Sequence, residues 1–129
     1  MSVGLRTRAF RADRGELAEI RRFVADEAGR HSFTVAVPEL QLAVTEACTN
    51  SILHSGGTTI EVSIVPVGTC LEITVEDDGV YRREIPIPEV DGSGHRGLHL
   101  MTAMVDDLAL RRGTEQRRGT VVRLVKCKS

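Results

Sequence analysis

Apolar residues recur along this chain with two periods, and the changes of period mark out its elements. Leu17, Ile20, Val24 and Ala28 are spaced by three or four, with Arg21, Arg22, Asp26 and Glu27 largely off that stripe. Such spacing predicts a helix with one buried face. Asp13, followed by Glu16, supplies a helix-start signal, and Gly29 offers an exit. Pro38 suits the first turn of a second helix because it needs no amide donor there. The buried stripe of that helix continues through Leu40, Val44, Ala47 and the Ser51-Ile52 turn until His54-Ser55-Gly56-Gly57 ends it. Ile60, Val62 and Ile64 then alternate with polar residues, as do Leu71, Ile73 and Val75, which predicts two strands joined by a turn over residues 66–69. Residues 3–10 fit an edge strand. Helical spacing returns from Leu98 through Met101, Thr102 and Val105, and strand patterns close the chain at residues 108–111 and 120–125.

Between the third strand and the third helix lies REIPIPEVDGSGHRG, in which Pro86 and Pro88 exclude a regular helix and Gly92, Gly94 and Gly97 free the backbone. The order strand, helix, helix, hairpin, loop, helix, hairpin contains no internal repeat, and RRGTEQRRG reads as an exposed basic turn. With 129 residues and 41% hydrophobic content, the chain supports one core, so residues 1–129 are expected to form a single domain. Its 17 basic and 18 acidic residues give a formal net charge of -1, which supplies no general field toward nucleic acid or an anionic membrane. Apolar runs are too short to span a bilayer and the start lacks the apolar core of a secretion signal, so a cytoplasmic location is expected. Cys48, Cys70 and Cys127 form an odd, widely spaced set without a CxxC pair, which favours reduced, structural thiols over a disulfide framework or a zinc site.

Candidate chemistry begins with Glu46 and Asn50, four residues apart on one face of the second predicted helix. An Asn50 amide oxygen is a hard, neutral ligand suited to magnesium beside phosphates. Glu46, one turn earlier, suits a base aimed at an attacking hydroxyl or water. The same two residues also fit a solvent-facing helix surface. Asp77-Asp78-Gly79 ends a strand, where the Asp77 carboxylate can accept an adenine amine hydrogen and Gly79 permits close approach of the base. A plain turn explains that triplet equally. Gly97 at the helix start can expose amides to phosphate, with Arg96 adding charge. His95 and His99 are spaced for one helical face, but a zinc site needs further ligands, and nonmetal roles are favoured. Tyr81 fits either stacking on a base or packing at the loop root.

Taken in order, ELQLAVTEACTNSILHS, VEDDGV, HRGLHLMTAMVDDLAL and GTVVRLV resemble the N box, the two glycine boxes and the terminal glycine-threonine element of bacterial anti-sigma factors and serine-protein kinases of the histidine-kinase-like ATPase superfamily. The resemblance covers nearly the whole chain. It implies an α/β (α+β) two-layer sandwich, with a mixed, largely antiparallel sheet covered by helices on one face. It further implies ATP and Mg²⁺ as cofactors, with Glu46 as catalytic base, Asn50 as magnesium ligand, Asp77 and Gly79 at adenine, Arg96, Gly97 and Leu98 at phosphate, and Thr120 in a water-bridged contact near adenine. Thr120 also fits a β-branched strand residue. Two departures stand out: Tyr81 replaces the second glycine usual in the first box, and the second keeps only Gly97 with Leu98 and Leu100.

The function implied is that of an ATP-dependent anti-sigma regulatory factor, a serine/threonine-protein kinase that binds a sigma factor and phosphorylates Ser or Thr on an anti-sigma-factor antagonist, commonly as a homodimer. Neither nucleic acid nor a membrane is an expected direct partner. The alternative expectation is a noncatalytic protein-binding module using Tyr81, His95 and His99 in a degenerate nucleotide pocket. Hydrolysis without protein phosphorylation is a third, since Glu46 could orient water instead of a hydroxyl.

Overall fold

A computed structural model describes residues 4–80 and 101–128 of the chain. Among these residues five strands form one sheet: β1 (Arg6–Arg11), β2 (Thr59–Val67), β3 (Cys70–Asp77), β4 (Asp107–Arg111) and β5 (Val121–Cys127). They lie in the order β1-β2-β3-β5-β4, and every pairing among them is antiparallel. The helices α1 (Leu17–Arg30) and α2 (Val37–His54) pack on each other and on the sheet. Residues 101–104 are helical, and Met101 is buried.

Alternation decides which face the helices cover. Ile60, Val62 and Ile64 of β2 and Leu71, Ile73 and Val75 of β3 are all buried, and Val122 and Leu124 of β5 continue the same face. Register aligns them, with Val62 opposite Val75 and Ile73 opposite both Ile64 and Leu124. Ile20, Val24 and Ala28 of α1 and Leu40, Val44 and Ala47 of α2 close the core from above. The other sheet face carries residues such as Ser63, Glu72, Thr74 and Arg123, with Arg123 donating to Glu72 at 2.8 Å. Helices on one face of a largely antiparallel sheet are the two-layer arrangement expected from the sequence.

Several boundaries differ from the expectation. Asp13 caps a 3₁₀ turn over Arg14–Glu16, accepting from Gly15 N–H at 2.9 Å, and α1 starts only after it. Gly29 stays inside α1; the exit is made at Ser32, whose φ of 66° reverses the chain. Glu27, placed off the buried stripe, is buried as well, because Arg30 at 3.3 Å and Arg6 at 3.9 Å compensate its charge. Pro66 and Val67 belong to β2, leaving Gly68 and Thr69 as the hairpin tip, with Gly68 at φ 60°. The β2 proline is tolerated because β1 pairing ends at Ile64, so no ladder donor is required at Pro66 on that side.

One expectation is overturned. Cys70 and Cys127 are joined in a disulfide, whereas Cys48 alone is a free, buried thiol. Fifty-seven residues separate the pair in sequence, but the β3–β5 register sets them directly opposite each other. Spacing along the chain carries no information about that register.

Candidate functional site

The centre of the site is where the C-terminal half of α2, the end of β3 and the entry to β5 meet. Asp77 is the last residue of β3, and its alternation places it on the helix-covered face, where it is 4% exposed. A buried carboxylate needs donors, and among the described residues this one has three. Oδ2 accepts from the Ser51 hydroxyl at 2.6 Å. Oδ1 accepts from the backbone N–H of Gly79 at 2.9 Å and of Thr120 at 3.1 Å. Each carboxylate oxygen has two lone-pair sites, so, counting donors among the described residues, Oδ1 is fully used and Oδ2 retains one acceptor position.

Backbone contacts fix the turn after Asp77. Val80 N–H donates to the Ser55 carbonyl at 3.0 Å, Gly119 N–H to the Gly79 carbonyl at 2.8 Å, and Asp77 N–H to the Thr120 carbonyl at 3.0 Å. Gly79 is required by the chain's own packing, since a Cβ there would sit 2.3 Å from the Ser55 carbonyl oxygen. Thr120 is buried and its hydroxyl accepts from Gly113 N–H at 2.9 Å, so it braces the β4–β5 connection as well as Asp77. Gly113 and Gly119 are buried, so the basic turn is exposed only over its middle, residues 114–118.

Asp78 is exposed, yet it is not a bystander. Its carboxylate accepts from Thr58 N–H at 2.8 Å, Thr59 N–H at 3.1 Å and the Thr58 hydroxyl at 2.9 Å, which pins the start of β2 to the end of β3. The Thr59 N–H, opposed by partial burial and helped by the Thr58 hydroxyl and N–H, holds its pKa below the ordinary 3.8.

Glu46 and Asn50 are partly buried on α2. Asn50 adjoins Ser51, the residue that touches Asp77; at 100° per residue the two diverge by roughly a quarter turn, so Asn50 points to a different side of the helix. Glu46 precedes Asn50 by one turn, about 6 Å along the axis. Among the described residues, neither the Glu46 carboxylate nor the Asn50 carboxamide has a hydrogen-bond or ion-pair partner. Nor, among them, is there any group of three or more His, Cys, Asp and Glu side chains able to hold a metal. Asn50 could hold a magnesium ion only with a ligand supplying most of the oxygens. Cys48 sits between the two polar residues but points into the core, where burial pushes its thiol up to about 12.

The structure therefore joins Asp77, Gly79 and Thr120 directly and brings the Glu46–Asn50 helix to them through Ser51. Arg96, Gly97 and Leu98, like Tyr81, His95 and His99, fall outside the described residues. A hollow of about 270 Å³ lined by Thr102, Val105, Asp106, Asp107 and Leu108 includes none of the candidate residues. Ser51 and Asp78 were not singled out from the sequence. Ser51 did leave a signal: a hydroxyl on an otherwise apolar stripe needs a buried partner.

A family model described as a histidine kinase-like ATPase domain matches residues 10–126. This chain belongs to that family. Similar proteins include the sensor protein NarQ homolog of Haemophilus influenzae, 48% identical over 59 residues, which are 45% of this chain and 10% of that protein. The chain thus spans only about a tenth of that relative. Among solved structures, the histidine kinase domain of the Erythrobacter litoralis blue-light activated histidine kinase aligns with TM-score 0.57 and 22% identity over 88% of this chain and 59% of that one. The Acinetobacter baumannii histidine kinase AdeS aligns with TM-score 0.55 and 10% identity, covering 95% of this chain and 67% of that one. At such identities the structural likeness concerns the fold. As a histidine-kinase-like ATPase domain, the chain belongs to a superfamily that includes active kinases. Among the described residues no helix is long and apolar enough to cross a membrane.

Proposed function

We propose that this protein is an ATP-dependent anti-sigma regulatory factor that binds a sigma factor and phosphorylates Ser or Thr on an antagonist. The observation that carries the nucleotide part is the Asp77 carboxylate, buried and, among the described residues, fixed by three donors with one acceptor position left on Oδ2. An adenine amine supplies a donor of the kind that position needs, whereas guanine presents a carbonyl oxygen at the corresponding edge and would be repelled. Membership of the histidine-kinase-like ATPase family and the order of the sequence motifs support the same ligand.

In this proposal Asn50 contributes a neutral oxygen to magnesium, and Glu46 accepts the proton of the attacking hydroxyl. Magnesium bound with the triphosphate supplies charge neutralisation at the phosphates. Asp77 orients the base, and Ser51 orients Asp77. Arg96, Gly97 and Leu98 are proposed at phosphate and Thr120 near adenine. Phosphorylation would add about -1.5 to -2 charge to the antagonist and weaken its hold on the regulator, freeing a surface for the sigma factor. A homodimer is part of the same proposal.

The test is magnesium-dependent transfer from ATP to candidate antagonists, read by intact mass. Parent protein should transfer; Glu46→Gln and Asn50→Ala should each lose at least about 100-fold in rate, the usual weight of a general base or an electrostatic ligand. Undiminished transfer by both variants would end the assignment. Absence of ATP binding by calorimetry would favour a noncatalytic binding module.

A second proposal follows from the sensor-kinase relatives: the chain serves as the ATP-binding part of a histidine-phosphorylating system. Acid treatment of the phosphorylated product separates the two, because phosphoserine survives it and phosphohistidine is hydrolysed.

A further inference from the structure

The disulfide lies at the end of the β3–β5 pair away from the candidate site. Cys70 opens β3 and Cys127 closes β5, while Asp77 and Thr120 stand at the opposite ends of the same strand pair. Cys127 N–H is donated sideways to the Asp106 carboxylate at 2.7 Å, and the next ladder bond toward β3 runs from Lys128 N–H to the Thr69 carbonyl at 3.0 Å. Cys70 and Cys127 therefore form a non-hydrogen-bonded antiparallel pair, the type in which facing side chains come closest. Alternation puts both sulfurs on the sheet face away from α1 and α2, and both residues are only partly buried. A small thiol can reach them there without opening the core.

We propose that Cys70 and Cys127 form a reversible thiol–disulfide exchange site for low-molecular-weight thiols, whose oxidised state locks the β3–β5 half of the sheet. In reduction, a small thiolate attacks one sulfur, the protein S–S bond breaks, and the departing cysteine thiolate takes up a proton. A second small thiolate then attacks the mixed disulfide, releasing the second cysteine and a small-molecule disulfide. The balance is one protein disulfide plus two thiols giving two protein thiols plus one disulfide, with no other oxidant or reductant. Closing the bond ties residues 70 and 127 around Asp77, Gly79 and Thr120, so oxidation removes freedom from the unfolded form of that half. Cys48 takes no part, because it is enclosed in the core and its burial keeps the thiol protonated.

The test equilibrates the native protein in glutathione buffers of graded reduced-to-oxidised ratio, traps the accessible thiols with excess N-ethylmaleimide at neutral pH without denaturant, and weighs the intact chain. Two species are expected, one carrying no accessible thiols and one carrying two, exchanging with the ratio and mapping to Cys70 and Cys127 while Cys48 stays unlabelled under native conditions. Thermal melting of the oxidised species should lie above that of the reduced species by roughly 10 °C. Cys127→Ser should melt like the reduced parent at every ratio. If that variant fails to fold, the parent measured in its two redox states makes the same comparison. Full labelling of both cysteines at the oxidising limit, a persistent single glutathione adduct, disulfides between chains, or equal melting temperatures for the two states would each overturn the proposal. None of these readouts involves ATP, so they leave the proposed kinase activity to its own test.

Discussion

At the residue scale, Asp77 is held, among the described residues, by two backbone amides and one side chain, which makes Ser51 the group most open to substitution. Ser51→Ala should cost about 1–2 kcal/mol of stability, measured by urea unfolding, because it strips a buried carboxylate oxygen of its donor. If Asp77 receives adenine, calorimetry should show a fall of roughly tenfold in ATP affinity for the same variant, the weight of a hydrogen bond to a charged group. Asp78 provides a pH signature. Its pKa is lowered in the folded state by the Thr59 and Thr58 donors, so its contribution is complete above the ordinary value of 3.8 and is lost as pH falls through the lowered one. Asp78→Asn should therefore be less stable than the parent at neutral pH and the gap should narrow on acidification. A gap that stays constant from neutral to acid would show that the carboxylate charge is not the source. Both residues were hard to read from the sequence, because a serine on a helix stripe and an aspartate in a turn each have solvated explanations until their partners are placed.

At the element scale, α1 and α2 were legible because their apolar spacing is regular: Ile20, Val24 and Ala28 on one, Leu40, Val44 and Ala47 on the other, all buried as the period demands. Their ends were less so. Gly29 looked like an exit but lies within the helix, exposed, with open space where a Cβ would go. Gly29→Ala should thus raise stability by about 0.5–1 kcal/mol in denaturant unfolding, since it restricts the unfolded chain and clashes with nothing. A loss of stability would mean that the glycine is needed for the turn that follows. The strands show the same division. Alternation identified the buried positions of β2 and β3, while the true hairpin tip at Gly68 and Thr69 depended on how far the two strands keep pairing.

At the scale of the whole molecule, the sheet is the framework on which both the candidate site and the disulfide are mounted, at opposite ends of the β3–β5 pair. Ile73, fully buried in the middle of β3 between Ile64 and Leu124, belongs to that shared core. Ile73→Ala should cost about 3 kcal/mol by equilibrium unfolding, from lost burial and the cavity left behind; a cost below about 1 kcal/mol would show a core able to collapse around the gap. The sequence by itself determined the apolar faces of α1, α2, β2 and β3 and, through the order of its motifs, the family to which the fold belongs, because periodicity and local motifs are properties of neighbouring residues. Only the tertiary structure decided that Ser51 and Thr120 share Asp77, that Asp78 holds β2, and that Cys70 meets Cys127. Those contacts join residues distant in the chain, and strand register, which no local pattern encodes, sets which of them meet.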